Sequence, residues 1–299
     1  MNLRDLKYIV AVAELKSFVK AAKRCFVSQP TLSMQIKKLE ETLGIKIFER
    51  NNKRVIVTEV GESIVSKAKT ILHDVEDIEE LAHNAQQPLG GNFRLGAFPT
   101  LAAYILPDLV PLIKDELPDL RLILIEEKTN TLIRQLKEGA IDAALLAAPI
   151  KDDALTFTCL FEDPFKLAVS SQHHLSNKLT VTPADIINEP LLLLDEGHCL
   201  RDQALQFCQL NGAKEEQNVR ATSLETLRQM VRANTGITFM PDLAIRDNDS
   251  DGNIRYIPFE NPQPTRTICL VWRKTNPKIQ LMTLLTELLQ NFYAHKNTK

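Results

Sequence analysis

Apolar positions in the first part of the chain recur at helical spacing. Leu3, Leu6, Ile9, Val10 and Ala13 share one face of a helix over 3–15, which Asn2 can cap. Ser17 caps a second helix carrying Ala21, Ala22 and Cys25. Ser28-Gln29-Pro30-Thr31 joins a cap to a proline in the first turn, and the helix it starts buries Leu32, Ile36 and Leu39 before Gly44 stops it. From Ile47 to Thr58 the pattern alternates and carries Arg50, Lys53 and Arg54, which predicts a short basic β-ribbon. Three helices and a ribbon make an all-α winged helix-turn-helix. Thr58 then caps a helix to about residue 87. Its apolar positions Ile64, Ala68, Ile71, Val75, Ile78 and Ala82 advance by four and three, a heptad-type seam on a charged rod. Such a seam packs on its own domain or on a second chain. The upstream segments look too short to cover it, which favours a dimer.

Pro88-Leu89-Gly90-Gly91 breaks the rod. Beyond it strand and helix patterns alternate. Strands are predicted at 93–97, 120–126, 141–148, 165–170, 191–194, 237–240 and 268–272, and helices at 101–117, 131–138, 200–211, 223–233 and 278–293. That order predicts an α/β architecture with mostly parallel sheets. At about 210 residues the segment is large for one such sheet, so two subdomains with a cleft are expected. The expected division is 1–58 for DNA binding, 59–87 as linker and dimerisation helix, and 88–299 as the regulatory domain.

Apolar runs such as Leu191–Leu194 fall far short of the ~18 residues of a membrane span. The N-terminus lacks the apolar stretch of a secretory signal, so a cytoplasmic protein without membrane contact is expected. The net charge of −2 conceals an asymmetry. Residues 1–58 hold twelve basic and five acidic side chains, a balance of +7, which leaves 24 basic against 33 acidic, or −9, for the remainder. A basic head meets a polyanion, here double-stranded DNA. In a helix-turn-helix the start of the second helix enters the major groove. Here that means Gln29, Pro30, Thr31, Ser33 and Met34, followed by Gln35, Lys37 and Lys38. Glutamine suits adenine edges, threonine and methionine a thymine methyl, and the lysines phosphate. Arg50, Lys53 and Arg54 on the wing reach an adjacent backbone or minor groove.

The run Ala21-Ala22, Val27-Ser28-Gln29-Pro30-Thr31-Leu32-Ser33, Ile36, Leu39-Glu40, Leu43-Gly44, Phe48-Glu49-Arg50 and Thr58-x-x-Gly61 resembles the LysR-type transcriptional regulators. The resemblance extends over the whole chain. It implies a two-subdomain regulatory domain like periplasmic binding proteins, and a homodimer or homotetramer on an interrupted promoter palindrome. It also implies a small molecule sensed in the cleft and recruitment of RNA polymerase.

One segment stands out: Gly197-His198-Cys199-Leu200-Arg201-Asp202-Gln203-Ala204, then Phe207-Cys208. Cys199 falls near a predicted helix start, beside His198 and close to Arg201, and helix amides and a cation both favour thiolate. A thiolate attacks peroxide to give sulfenic acid, which a second thiol converts to a disulfide. Nine residues of helix rise ~13.5 Å, so Cys199 and Cys208 lie on opposite faces. Disulfides need Cα atoms within ~7 Å, so this pair requires the helix to unwind. Two cysteines in a helix are ordinarily apolar filler. However, the segment is similar to the redox segment of peroxide-sensing LysR-type proteins, as are Ala221–Arg228 and Gly236-Ile237-Thr238. That similarity implies Cys199 as peroxidatic and Cys208 as resolving cysteine. It further implies Thr100 and Thr129 as hydroxyls that hold peroxide, with His198, Asp202 and Arg201 around them. Gly96-Ala97-Phe98 and Leu101-Ala102-Ala103 depart from the pattern around Thr100, and Lys128 places a charge where a neutral residue is common.

Cys25 and Cys269 read as core residues, and Cys159 has no partner by spacing. His173-His174 reads as a loop whose side chains diverge. No metal site, cofactor site or phosphate loop is expected. Two other functions stay open on the sequence: a metabolite-responsive regulator of the same family with inert cysteines, and a thiol peroxidase or oxidoreductase. The second leaves the basic head and heptad helix unexplained.

Overall fold

The computed structural model describes residues 1–51, 54–84, 89–197, 199–209, 215–245 and 252–296. By their contacts they form two units, residues 1–86 with 137–140, and residues 87–136 with 141–299.

In the first unit, α1 (Leu3–Leu15) opens with a capping box between Asn2 and Asp5. Ser17 caps α2 (Phe18–Arg24), and Ser28 caps α3 (Gln29–Leu43), which ends at Gly44 in the left-handed region. The wing is β1 (Phe48–Asn51) paired antiparallel with β2 (Arg54–Val57). Buried Glu40 ties helix to wing, because its Oε1 accepts the backbone N–H groups of Ile47 (2.9 Å) and Phe48 (3.1 Å). Glu40→Ala leaves both buried donors unpaired and is expected to cost about 3 kcal/mol, whereas Glu40→Gln keeps the acceptor and most of the stability. Denaturant unfolding of the two variants checks this.

The Thr58-x-x-Gly61 motif starts α4 (Glu59–Asn84): Thr58 Oγ1 accepts the Gly61 N–H at 2.9 Å and donates to the Lys46 carbonyl at 2.7 Å. A side chain at Gly61 would collide with the Ile47 carbonyl. The heptad seam of α4 is divided. Val65 and Ala68 are buried, and Ile64 and Ile71 pack on the same core as α1, so the upstream segment does cover the first half of the helix. Farther along, Ile78 is 65% exposed.

The second unit runs β3 (Gly91–Ala97), α5 (Pro99–Glu116), β4 (Leu120–Glu126), α6 (Thr129–Glu138), β5 (Ala143–Ala147), β6 (Leu155–Ser170), β7 (Leu191–Leu194), α7 (Cys199–Gln209), β8 (Glu215–Ala221), α8 (Leu224–Arg232), β9 (Thr238–Pro241), β10 (Ile254–Pro258), β11 (Thr265–Arg273) and α9 (Ile279–Lys296). The largest sheet has the order β10-β6-β11-β5-β3-β4, with β9 also on β6. Only β3–β4 and β3–β5 are parallel within it, and β7–β8 form a separate parallel pair. The pairings of β6 with β9, β10 and β11, and of β11 with β5, are antiparallel. The sheets are therefore mixed, which corrects the expectation of mostly parallel ones. The antiparallel pairings come from insertion: β11 lies between β5 and β6, antiparallel to both, and β6 lies between β10 and β11, so β5 and β6, or β10 and β11, adjacent in the chain, are not partners in the sheet.

β6 extends ten residues upstream of its expected start. Its first part pairs with β11 from Leu155 to Pro164, and its second part, from Phe165, lies between β9 and β10. Leu155 and Leu160 belong to one hydrophobic core, with α5, α6 and α9. Phe165 and Leu167–Val169 belong to another, with α7 and α8. These are the two subdomains, and Asp163 sits where β6 passes between them.

Candidate functional site

Thr100 is the second residue of α5, Thr129 the first of α6 and Cys199 the first of α7, so all three lie in the first turn of a helix. Cys199 packs against the first core although its neighbours Leu200 and Ala204 belong to the second. It therefore stands at the seam between the subdomains. Thr129 Oγ1 is buried with no partner in strict hydrogen-bond geometry, and it lies against the Cys199 sulfur, where it favours the thiolate.

The cation at this site is Arg266, from β11. Its guanidinium is 1% exposed and makes an ion pair with Asp163, with Nε and Nη2 2.9 and 2.7 Å from Oδ2. It also donates to Thr100 Oγ1 and to the Thr100 carbonyl, each at 3.2 Å. Phe98 and Phe165 face it at 5.3 and 5.8 Å. Asp163 Oδ1 accepts the Leu243 N–H at 3.1 Å, which fixes the acid in turn. Arg266 thus links Thr100 to Cys199 through its hydrogen bonds and its charge.

Burial pushes the Cys199 thiol up, and Arg266, the Thr129 hydroxyl and the Leu200 N–H pull it back only in part. The Leu200 amide acts in the expected direction, towards thiolate, and burial opposes it. Arg201 Nη1 donates to the Leu194 carbonyl at 3.1 Å. Asp202 is exposed, and its charge opposes ionisation of Cys199. Lys128 Nζ donates to the Glu196 carbonyl at 2.6 Å, so its charge fixes the loop before Cys199. His198 lies outside the described residues. The rate of peroxide reaction is therefore expected to keep rising past about pH 8.5, where a free cysteine titrates. Stopped-flow rates across pH check this.

Cys208 is on the same uninterrupted α7 as Cys199, and its side chain lies outside the described residues. Between them, Leu200 and Ala204 are buried in the second core. Phe207 packs edge-on against Phe239 (5.6 Å) and Phe259 (5.3 Å). Sequence reasoning missed Arg266, Asp163 and Gln203, whose Oε1 is buried without a partner one turn beyond Cys199. The available signal was strand alternation, which puts Arg266 on the same face as the apolar Ile268 and Leu270.

Two other expectations change. His173 and His174 do not diverge: their Nε2 atoms reach the two oxygens of Glu189 at 3.1 and 3.3 Å. His173 Nδ1 accepts the Leu175 N–H, which puts the ring proton on Nε2 and makes the pair a cap on a short turn. Cys159 does have a partner, Cys269.

On the first unit, Gln29, Pro30, Thr31, Lys37 and Lys38 are exposed along the start of α3 and beyond, with Ser33 and Gln35 half-buried. Arg50 and Arg54 are on the wing strands, with side chains outside the described residues, as is Lys53 altogether. Among the described residues no helix is long and apolar enough to cross a membrane.

A helix-turn-helix with a wing, followed by a two-core α/β domain, is the plan of a DNA-binding transcriptional regulator. The family described as bacterial regulatory helix-turn-helix protein, lysR family, matches residues 3–62, and the LysR substrate binding domain matches residues 86–294. The chain belongs to the LysR family. It is 43% identical to a hydrogen peroxide-inducible genes activator of Haemophilus influenzae, over 93% of this chain and 92% of that one. To the DNA-binding transcriptional dual regulator OxyR of Escherichia coli it is 42% identical, over 93% and 91%. Full-length OxyR of Pseudomonas aeruginosa, solved as a Cys-to-Asp variant, superposes with a TM-score of 0.79 at 35% identity, covering 97% of this chain and 95% of that one.

Proposed function

We propose that this chain is a LysR-type transcriptional activator that senses hydrogen peroxide with Cys199 and resolves the product with Cys208. The observation that carries the reading is the setting of Cys199: a half-buried residue at the seam of two subdomain cores, with Thr129 against its thiol and Arg266 tying Thr100 to its surroundings. Its full-length similarity to peroxide-inducible gene activators supports the same reading and gives no support to a thiol peroxidase.

Thr100 and Thr129 hold peroxide by their hydroxyls. Cys199 thiolate attacks one oxygen, the O–O bond breaks, and hydroxide leaves as sulfenic acid forms. Cys208 then displaces that oxygen as water and the disulfide closes. Along α7 the two cysteines are separated by ~13.5 Å of rise, beyond the ~7 Å that a disulfide permits. The helix must open first, drawing Leu200, Ala204 and Phe207 from the second core. That obligatory opening converts a local oxidation into a change of domain surface.

In this reading residues 1–58 bind a promoter palindrome through α3 and the wing. Residues 59–87 pair two chains along the outer part of α4, and residues 88–299 sense peroxide. Pairing of dimers into a homotetramer and contact with RNA polymerase in the cytoplasm complete the proposal. The experiment is peptide mapping of reduced protein after stoichiometric peroxide and rapid alkylation. A Cys199–Cys208 disulfide is expected ahead of any change at Cys25. Two thiols that stay alkylatable in excess peroxide overturn the sensor reading and leave DNA binding standing.

Phe207→Ala removes an anchor that holds α7 closed. It is expected to lower stability by about 2–3 kcal/mol and to speed disulfide formation by about tenfold or more, because the opened state has already lost that contact. Unfolding curves and the alkylation time course check the two effects.

A further inference from the structure

The two long strands of the large sheet bring together cysteines 110 positions apart in the chain. Cys159 on β6 and Cys269 on β11 are direct cross-strand partners, at the step where the register shifts between Ile268 and Cys269. Their Sγ atoms are 3.2 Å apart. Cα atoms of antiparallel partners are separated by about 4.5–5.5 Å. That lies within the about 4.4–6.8 Å range that disulfides span. Closing this pair therefore needs only the sulfurs to approach by about 1 Å, with both strands in place. Cys199 and Cys208, in contrast, cannot meet without unwinding a helix.

The two thiols differ in access. Cys159 is exposed and Cys269 is fully buried. An oxidant from solvent meets Cys159 first, and among the described residues the thiol at bonding distance behind it is Cys269. We propose that Cys159 and Cys269 form a second reversible thiol–disulfide site that takes a small hydroperoxide, with Cys159 attacking and Cys269 resolving. The Cys159 thiolate attacks one peroxide oxygen, the O–O bond breaks, and hydroxide leaves. The Cys269 sulfur then displaces the new hydroxyl as water, and its own proton goes to solvent. Burial pushes the Cys269 thiol up to about 12, and the adjoining Cys159 thiol and Glu162 push it the same way. Conversion of Cys159 to sulfenic acid removes one of those contributions and eases release of the proton. The strands so joined also carry Asp163 and Arg266, so the clip fixes the two elements that hold the buried ion pair.

The site is independent of Cys199, and the test removes that chemistry. Full-length protein carrying Cys199→Ser and Cys208→Ser is reduced, treated with excess hydrogen peroxide, alkylated and mapped by mass spectrometry. The expected product is lighter by two hydrogens, has lost two alkylatable thiols, contains a Cys159–Cys269 linked peptide, and is restored by dithiothreitol. Adding Cys159→Ser, an exposed position that leaves the core intact, is expected to leave Cys269 fully alkylatable after unfolding. Adding Cys269→Ala instead is expected to stop Cys159 at a sulfenic acid that dimedone captures. The proposal is overturned if both thiols stay alkylatable, if Cys159 reaches sulfinic acid with Cys269 untouched, or if Cys159 links only to a second chain.

Discussion

In a Cys199→Ser protein, hydrogen peroxide is expected to leave promoter contacts and transcription at their reduced-state values, while DNA affinity is unchanged. A serine hydroxyl does not ionise in the accessible pH range and does not attack peroxide, so the sulfenic acid never forms. The substitution is small and sits at the start of α7, in a different unit from α3 and the wing, so the DNA-binding unit folds as before. Cys208→Ser separates the two chemical steps. It leaves Cys199 to oxidise but removes its partner, so the product is sulfenic acid or a mixed disulfide and α7 is not locked open. Footprinting with and without peroxide, together with dimedone trapping, reads both outcomes. A normal peroxide response in Cys199→Ser would return the metabolite-responsive alternative to first place.

Arg266→Met is expected to produce the second large effect, on stability and on chemistry together. The guanidinium and Asp163 are each 1% exposed, so deleting one strands a buried charge. Such losses cost about 3–5 kcal/mol. Thr100 also loses two hydrogen-bond donors. The thiol at Cys199 loses the largest of the influences that lower it, so its ionisation moves to still higher pH and the peroxide reaction at neutral pH slows. A second variant, Asp163→Leu with Arg266→Met, isolates the chemistry. Replacing both charges by apolar groups is often close to neutral for folding. Most of the stability is expected to return, although the Leu243 N–H lacks its acceptor. The reaction is expected to remain slow. If it recovers along with stability, Arg266 acts through packing alone. Chemical denaturation and the pH profile of the oxidation rate together decide this.

The helices of the DNA-binding unit were legible in the sequence because their signals are local. Asn2, Ser17 and Ser28 each cap the helix that follows, and Pro30 and Gly44 mark where α3 begins and ends. The motif around Cys199 was legible for another reason: its residues are contiguous, so the chain itself places them together. What the sequence could not show was how distant segments meet. β6 carries Thr156, Thr158, Glu162 and Pro164 in its first part, a pattern that reads as a loop until β11 supplies its pairing partners. Arg201 looked like the partner of Cys199 because it is two residues away, and its Nη1 donates to the Leu194 carbonyl. Arg266, 67 positions on, takes that place.

The sequence by itself determined the winged helix-turn-helix, the two-part organisation and the pair of cysteines on α7, because capping, periodicity and helical rise act over one or two turns. Only the tertiary structure decided which charge faces Cys199, that burial outweighs the helix amides in setting its ionisation, and that Cys159 opposes Cys269. Those depend on strand pairing and desolvation, which link residues 67 (Cys199 and Arg266) and 110 (Cys159 and Cys269) positions apart and have no signature in local spacing.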